Sequence, residues 1–347
     1  MAAAARVLIV DDSAFARRAV REILQGAGFD VVGHARDGLE AMEQIAALKP
    51  DVVTLDLMMP HLDGVGVLRA LRTLHASGEP APRVVVVSMS DSESALGAEA
   101  LEAGALSIVA KPTALATAQL YELKDALVNA VREAALVRSG PLAPRESRPP
   151  LPPLRAGVVT CKLVVIGTST GGPQALAHLM AALPQNFPVP VAMVLHIPEG
   201  YTEELAKRLD RNSAITVQEA KQGLVLQPGG AVLARGGMHL TLAASRGVLS
   251  AQLALQPLEE LHCPSVDVLF ESAAACLGGA VLGVVLTGMG SDGLRGARAI
   301  HAAGGKVLTE AEESCVVYGM PGVVKAAGLS HEEAPLEDMA ALIVRHL

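Results

Sequence analysis

Two groups of residues in this chain have the side chains that chemistry requires, and the chemistry differs between them. In the first third, Asp11, Asp12, Asp56, Ser88 and Lys111 combine carboxylates with one hydroxyl and one ammonium. Carboxylates gathered at one place repel each other, so Asp11, Asp12 and Asp56 read as ligands of a hard cation such as Mg²⁺, which takes oxygen donors and keeps waters. A carboxylate beside that ion can attack a phosphoryl group, because the metal offsets charge on the group being transferred. Lys111 would add a second positive charge, and Ser88 a hydrogen bond to the acylphosphate. Taken singly, each residue could be a solvated loop end or a helix N-cap. Their joint placement at successive strand ends argues against that.

The second group is Ser169, His196 and Asp292. Ser169 sits in Gly167-Thr168-Ser169-Thr170-Gly171-Gly172, after a strand-like run and before a helix opened by Pro173. Small residues let the backbone turn sharply and expose the hydroxyl beside a helix N-terminus, where N–H groups can stabilise an oxyanion. The same motif alone also suits a glycine-rich phosphate cradle, although it lacks a Walker lysine and the GxGxxG spacing. His196 and Asp292 each follow a predicted strand, where a hydrogen-bonded structural histidine or an N-cap aspartate is an ordinary finding. Together the three strand ends supply a nucleophile, a base and a carboxylate, the set that serine hydrolysis needs. The chain order Ser–His–Asp differs from the Ser–Asp–His order of α/β-hydrolases, which points to another fold with convergent chemistry. Ser265 and Asp267 are the nearest rivals, but no strong strand-to-turn signal precedes them.

Alternating elements must position these residues. Val7 to Val10 is a continuous apolar run, followed by a helix with Ala16, Val20, Ile23, Leu24 and Ala27 on one face. Val31-Val32, Val52 to Leu55, Val84 to Val87 and Leu106 to Val109 repeat the pattern, each with a helical segment after it. Five strands alternating with five helices predict a parallel, flavodoxin-like sheet covered on both faces. Its carboxyl ends carry Asp11-Asp12, Asp56, Ser88 and Lys111, where open α/β sheets place function. Prolines then crowd between Arg138 and Arg155, predicting a semi-extended linker. Alternation resumes with strands at Leu163 to Ile166, Val191 to Leu195, Val281 to Leu286 and Lys306 to Thr309, and a helix over Pro173 to Leu183. Turn residues between Gly223 and Leu253 predict an antiparallel hairpin inserted in, or edging, a doubly wound, mostly parallel α/β sheet. The expected divisions are 1–137, a linker at 138–157, and 158–347.

Bulk properties narrow the class. The chain has 347 residues, 51% of them apolar but only 2% aromatic, with no Trp, so two cores of Val, Leu, Ile and Ala are expected. A net charge of −8 without a basic run argues against nucleic-acid or anionic-membrane surfaces. Cys161, Cys263, Cys276 and Cys315 are scattered without a CxxC pair, which fits reduced thiols better than disulfides or a metal site. No apolar run reaches membrane-spanning length. A cytoplasmic monomer that does not insert into the membrane is expected.

Residues 6–130 resemble the receiver domain of two-component response regulators. The matching segments are Val10-Asp11-Asp12-Ser13, Leu55-Asp56-Leu57-Met58-Met59-Pro60 with Asp63-Gly64, Val87-Ser88 and Lys111-Pro112. The resemblance implies that Asp56 accepts the phosphoryl group, that Asp11 and Asp12 help hold Mg²⁺, and that a histidine kinase is the donor. Ile108 stands where many receivers have an aromatic switch residue.

Residues 160–330 resemble the catalytic domain of chemotaxis protein-glutamate methylesterases. The segments are Ile166 to Gly172, His196 to Thr202, Pro264 to Phe270, Leu286 to Gly293, and Tyr318-Gly319-Met320-Pro321. The order receiver, linker, esterase is also that family's. This resemblance implies a Ser169–His196–Asp292 triad, backbone near Thr170 and Met289 as oxyanion-hole candidates, and no cofactor for ester hydrolysis. It further implies demethylation of methyl-accepting chemotaxis receptors, deamidation of their glutamines, and a receiver that covers the esterase mouth until phosphorylated. Two departures stand out: Cys263 where an Arg is common, and Glu310-Ala311-Glu312 where Gln-Asp-Glu is common. The competing classes are a phosphorylation-dependent adaptor without catalysis and a DNA-binding regulator; the second lacks a basic carboxy-terminal helix-turn-helix.

Overall fold

The computed structural model describes residues 4–88, 94–111, 117–137, 160–257 and 259–347. The linker expected at 138–157 and Pro112 lie outside these residues. The chain divides into two compact units, Met1–Pro144 and Arg145–Leu347.

In the first unit the strands are β1 (Arg6–Val10), β2 (Asp30–Ala35), β3 (Val52–Leu55), β4 (Arg83–Ser88) and β5 (Ser107–Ala110). They pair in parallel in the order β2-β1-β3-β4-β5, the doubly wound order expected from the sequence. Val7, Leu8, Ile9 and Val10 are all buried, because helices cover both faces and leave no polar side for alternation. Helices start where short polar side chains cap them. Ser13 Oγ accepts from Ala16 N ahead of helix Ala14–Gly26, Asp37 caps Gly38–Leu48, and Asp63 caps Gly64–Ala76. Val20, Ile23 and Leu24 form the buried stripe of the first helix, as their spacing predicts.

The second unit contains β6 (Leu163–Thr168), β7 (Val191–Leu195), β8 (Thr216–Glu219), β9 (Gly230–Leu233), β10 (His239–Ser245), β11 (Val248–Ala254), β12 (Val281–Val285), β13 (Lys306–Glu310) and β14 (Glu332–Ala334). Among the described residues, seven of these form one sheet in the order β14-β13-β12-β6-β7-β9-β8. Every pairing within it is parallel.

The predicted hairpin needs correcting in its extent and place. Pro228-Gly229-Gly230 does not turn a hairpin; it leads into β9, which lies parallel to β7 and β8. The antiparallel pair is β10–β11, a separate two-stranded sheet. Its turn is Arg246-Gly247, with φ of 49° and 80°, the left-handed pair that suits a two-residue hairpin loop. Leu240, Leu242 and Ala251 pack with Leu269, Phe270 and Ala273 of helix Val266–Leu277 in one core. That helix covers the hairpin's apolar face, so the pair has no need to join the main sheet.

Helix Gly172–Ala182 begins one residue earlier than its proline suggested. Gly171 is the N-cap with φ of 78°, and Pro173 is the second helical residue. A left-handed backbone at Gly171 allows β6 to turn into this helix within a few residues of Ser169.

Candidate active site

In the first unit the topological reversal lies between β1 and β3, and the acidic residues leave from there. Asp56 N donates to Val10 O at 2.9 Å, which sets the two strand ends side by side. Asp11 and Asp56 are 3% and 5% exposed, whereas Asp12 is exposed. One carboxylate oxygen from each of Asp11, Asp12 and Asp56 lies within 4.8 Å of the others. Three close oxygen donors fit a hard divalent cation. Lys111 Nζ stands 2.8 Å from Asp11 Oδ2 and 2.7 Å from Asp56 Oδ2. Burial works against the Lys111 charge, but Asp56 and Asp11 outweigh it and raise the pKa above the usual lysine value. Lys111 N also donates to Ser88 O at 2.8 Å, joining the ends of β4 and β5, and Ser88 is fully buried. All five residues singled out in the sequence therefore meet at one sheet edge.

In the second unit three adjacent strands deliver the other group. Thr168 at the end of β6 pairs with Leu195 at the end of β7, so Ser169 and His196 are the next residue on each. His196 N donates to Thr168 O at 3.2 Å, and Ser169 N donates to Thr287 O at 3.0 Å. Ser169 is thus held between β7 on one side and the loop after β12 on the other. His196 Nε2 lies 2.8 Å from Asp292 Oδ2, with side chains 8% and 9% exposed. An ionised carboxylate can only accept, so the proton of this bond resides on Nε2. His196 Nδ1 is buried and has no hydrogen-bond partner among the described residues.

Four donors converge on Asp292. Besides His196 these are Ser265 Oγ at 2.9 Å, Val266 N at 2.7 Å and Asp267 N at 2.8 Å. Burial alone would raise its pKa, but His196 and the amides of Asp267 and Val266 hold it down at about 2. Asp267 turns its own carboxylate away, accepting at Oδ1 from Gly293 N at 2.9 Å and Gly296 N at 2.7 Å. Burial, reinforced by Asp292, pushes Asp267 up to about 6 against the opposing pull of those amides and Arg295. Ser265 and Asp267, the nearest rivals for the triad in the sequence, lie directly behind Asp292.

The loop Thr287-Gly288-Met289 closes the other flank of Ser169. Thr287 N donates to Glu310 Oε2 at 2.8 Å, and Thr287 Oγ1 donates to Thr170 O at 3.0 Å. Glu310, at the position marked as a departure from the family's usual Gln, is fully buried. It also accepts from Ser314 Oγ at 2.9 Å. A Cβ on Gly288 would come within 2.8 Å of Ser169 Cβ and 3.0 Å of Ser169 N, so only glycine permits this approach. Thr170 and Met289 follow Ser169 and Gly288 directly. One neighbour escaped sequence reasoning: the His262 ring stacks on His196. A single histidine in a loop has no periodicity or spacing to mark it.

A phosphate-handling parallel sheet joined in one chain to a second sheet bearing Ser, His and Asp defines a hydrolase linked to a response-regulator receiver. Family models agree for both parts. CheB methylesterase matches residues 164–343, and the response regulator receiver domain matches residues 7–122. The chain belongs to the CheB methylesterase family. It is similar to the protein-glutamate methylesterase/protein-glutamine glutaminase 5 of Myxococcus xanthus, 58% identical over 99% of this chain and 98% of the relative. A protein of the same name from Geobacillus kaustophilus is 42% identical over 98% of both. The crystal structure of the Thermotoga maritima CheB methylesterase catalytic domain covers 54% of this chain and 99% of its own, with 38% identity and a TM-score of 0.53. Among the described residues, no helix is long and apolar enough to cross a membrane.

Proposed function

We propose that this chain removes methyl groups from glutamate γ-esters on the cytoplasmic helices of methyl-accepting chemotaxis receptors, under control of Asp56 phosphorylation. Ser169 Oγ attacks the ester carbonyl carbon while His196 Nδ1 takes the hydroxyl proton. The tetrahedral intermediate collapses, and methanol leaves with the proton that His196 returns. Water then attacks the acyl-enzyme with His196 as base, restoring Ser169 and releasing the glutamate side chain. Asp292 keeps the proton on Nε2 and stabilises the imidazolium. Backbone N–H groups of Thr170 and Met289, beside the N-terminus of helix Gly172–Ala182, receive the oxyanion. Glutamine deamidation follows the same path with ammonia as leaving group, and neither reaction calls for a cofactor.

The observation that carries this reading is the state of His196, whose Nε2 is engaged by Asp292 while its buried Nδ1 has no partner among the described residues. In the receiver, Asp56 takes the phosphoryl group from a histidine kinase, with Ser88 and Lys111 contacting the acylphosphate. Mg²⁺ held by Asp11, Asp12 and Asp56 would offset charge on the incoming phosphoryl group. The working boundaries are 1–137 for the receiver, 138–157 for the linker and 158–347 for the esterase, in a cytoplasmic monomer. A fluorophosphonate probe with peptide mapping tests the assignment. Labelling of Ser169 in the native protein and its loss in His196→Ala support it; labelling elsewhere, or undiminished labelling in the variant, contradicts it.

A further inference from the structure

His262 touches the proposed base yet has no part in the scheme above. Its ring lies face to face with that of His196, centroids 3.9 Å apart and planes 19° from parallel. The segment before helix Val266–Leu277 that carries it has no strand or helix of its own in the described residues, yet it is fastened repeatedly. His239, almost fully buried, bridges it: Nδ1 accepts from Ser265 N at 3.2 Å and Nε2 lies 3.0 Å from Pro257 O. Arg295 pairs with Glu260, and Gly237 N donates to Cys263 O at 3.2 Å. Beyond His262 the same segment supplies Ser265 Oγ, Val266 N and Asp267 N to Asp292. One anchored loop therefore contacts both members of the histidine–carboxylate pair.

The hydrogen bond to Asp292 fixes Nε2 but leaves the imidazole free to swing about that contact. In the proposed reaction Nδ1 must reach the serine hydroxyl, and small errors of aim are costly in proton transfer. A ring packed flat on the imidazole removes that freedom. We propose that His262 is a positioning residue for His196, its stacked ring setting the plane in which Nδ1 faces the Ser169 hydroxyl; the proposal rests on the esterase reading above. Charge does not oppose the stack. Burial first, and then His196, push the His262 pKa down to about 4 despite Asp292. At neutral pH His262 thus offers a neutral aromatic face, which tolerates the imidazolium formed during turnover.

The test measures kcat and KM for methanol release from methylated receptor fragments. It uses the full chain and its variants His262→Ala, His262→Phe, His196→Ala and the double variant His196→Ala/His262→Ala. His262→Ala is expected to lower kcat by about 10- to 100-fold with KM little changed. His262→Phe, which keeps a flat ring, should recover most of that loss and guards against a simple folding defect. In the His196→Ala background, removing His262 should have no further effect. Native kcat in His262→Ala overturns the proposal. So does an equal loss in His262→Phe, or a double variant well below His196→Ala. Full activity in His196→Ala overturns the underlying esterase assignment instead, so the two failures are distinct.

Discussion

Asp292 holds His196 by Nε2, at 2.8 Å, and Nδ1 has no hydrogen-bond partner among the described residues. The chymotrypsin-type template has the opposite sense, with the carboxylate on Nδ1 and the serine at Nε2. The logic survives the exchange, since either nitrogen serves as base when the other carries the proton. Asp292→Asn would let the side-chain amide donate to Nε2 and so shift the ring proton to Nδ1. A loss of about 10⁴-fold in kcat is expected, as for the equivalent change in the template. Steady-state methanol release checks this, and a loss below tenfold would show that the tautomer is set elsewhere.

Gly288→Ala should act on Ser169 without touching its chemistry. The added methyl would lie 2.8 Å from Ser169 Cβ and closer still to Met320 Sδ, so the Met320 side chain must give way and either Ser169 or the Thr287–Met289 loop must shift. Displacement of this order lowers kcat by roughly 10²-fold. Turnover within twofold of native would mean that the loop yields freely.

Asp267 makes stability depend on pH in a definite direction. Its pKa rises on folding from 3.8 to about 6, so folding takes up a proton between those values. The associated stability is fully present below 3.8 and is lost as pH rises through about 6. Asp292 acts in the opposite sense, its contribution being lost only as pH falls from 3.8 toward about 2. Asp267→Asn keeps an acceptor for Gly293 N and Gly296 N without a charge to bury. Relative to the native chain, it should gain on the order of 1–3 kcal/mol in the esterase unit on going from pH 4.5 to pH 7.5. Calorimetry at both pH values measures it; a native-like pH dependence in the variant would count against a protonated Asp267.

Asp56→Asn should retain basal esterase activity and lose all stimulation by a small phosphodonor. Chelating Mg²⁺ should abolish stimulation of the native protein while leaving basal turnover intact, because the chemistry proposed for Ser169, His196 and Asp292 calls for no metal. Both effects are read as the ratio of methanol release with and without the donor. Stimulation that persists in Asp56→Asn would place control outside the receiver's acidic site.

How much of this was legible in the sequence depends on how local each signal is. Continuous apolar runs such as Val7 to Val10 and Val191 to Leu195 announced buried parallel strands, and the polar residues just after them announced the sites. Pairings distant in sequence were not legible. Nothing local distinguishes β9, which joins the parallel sheet, from the strands of the nearby hairpin; the choice is made by helix Val266–Leu277 covering the hairpin. Ser265 and Asp267 drew notice for their chemistry, but their place behind Asp292 depends on a loop folding back from another part of the chain. Glu310 stood out only as an unexpected residue. Its burial against Thr287 N gives it a structural task.

Ser169 is proposed as the nucleophile of ester hydrolysis. The most direct measurement is methanol released from methylated receptor fragments by the native chain and by Ser169→Ala under identical conditions. Steady release by the native protein and almost none by the variant are expected. Undiminished release by Ser169→Ala would contradict that role.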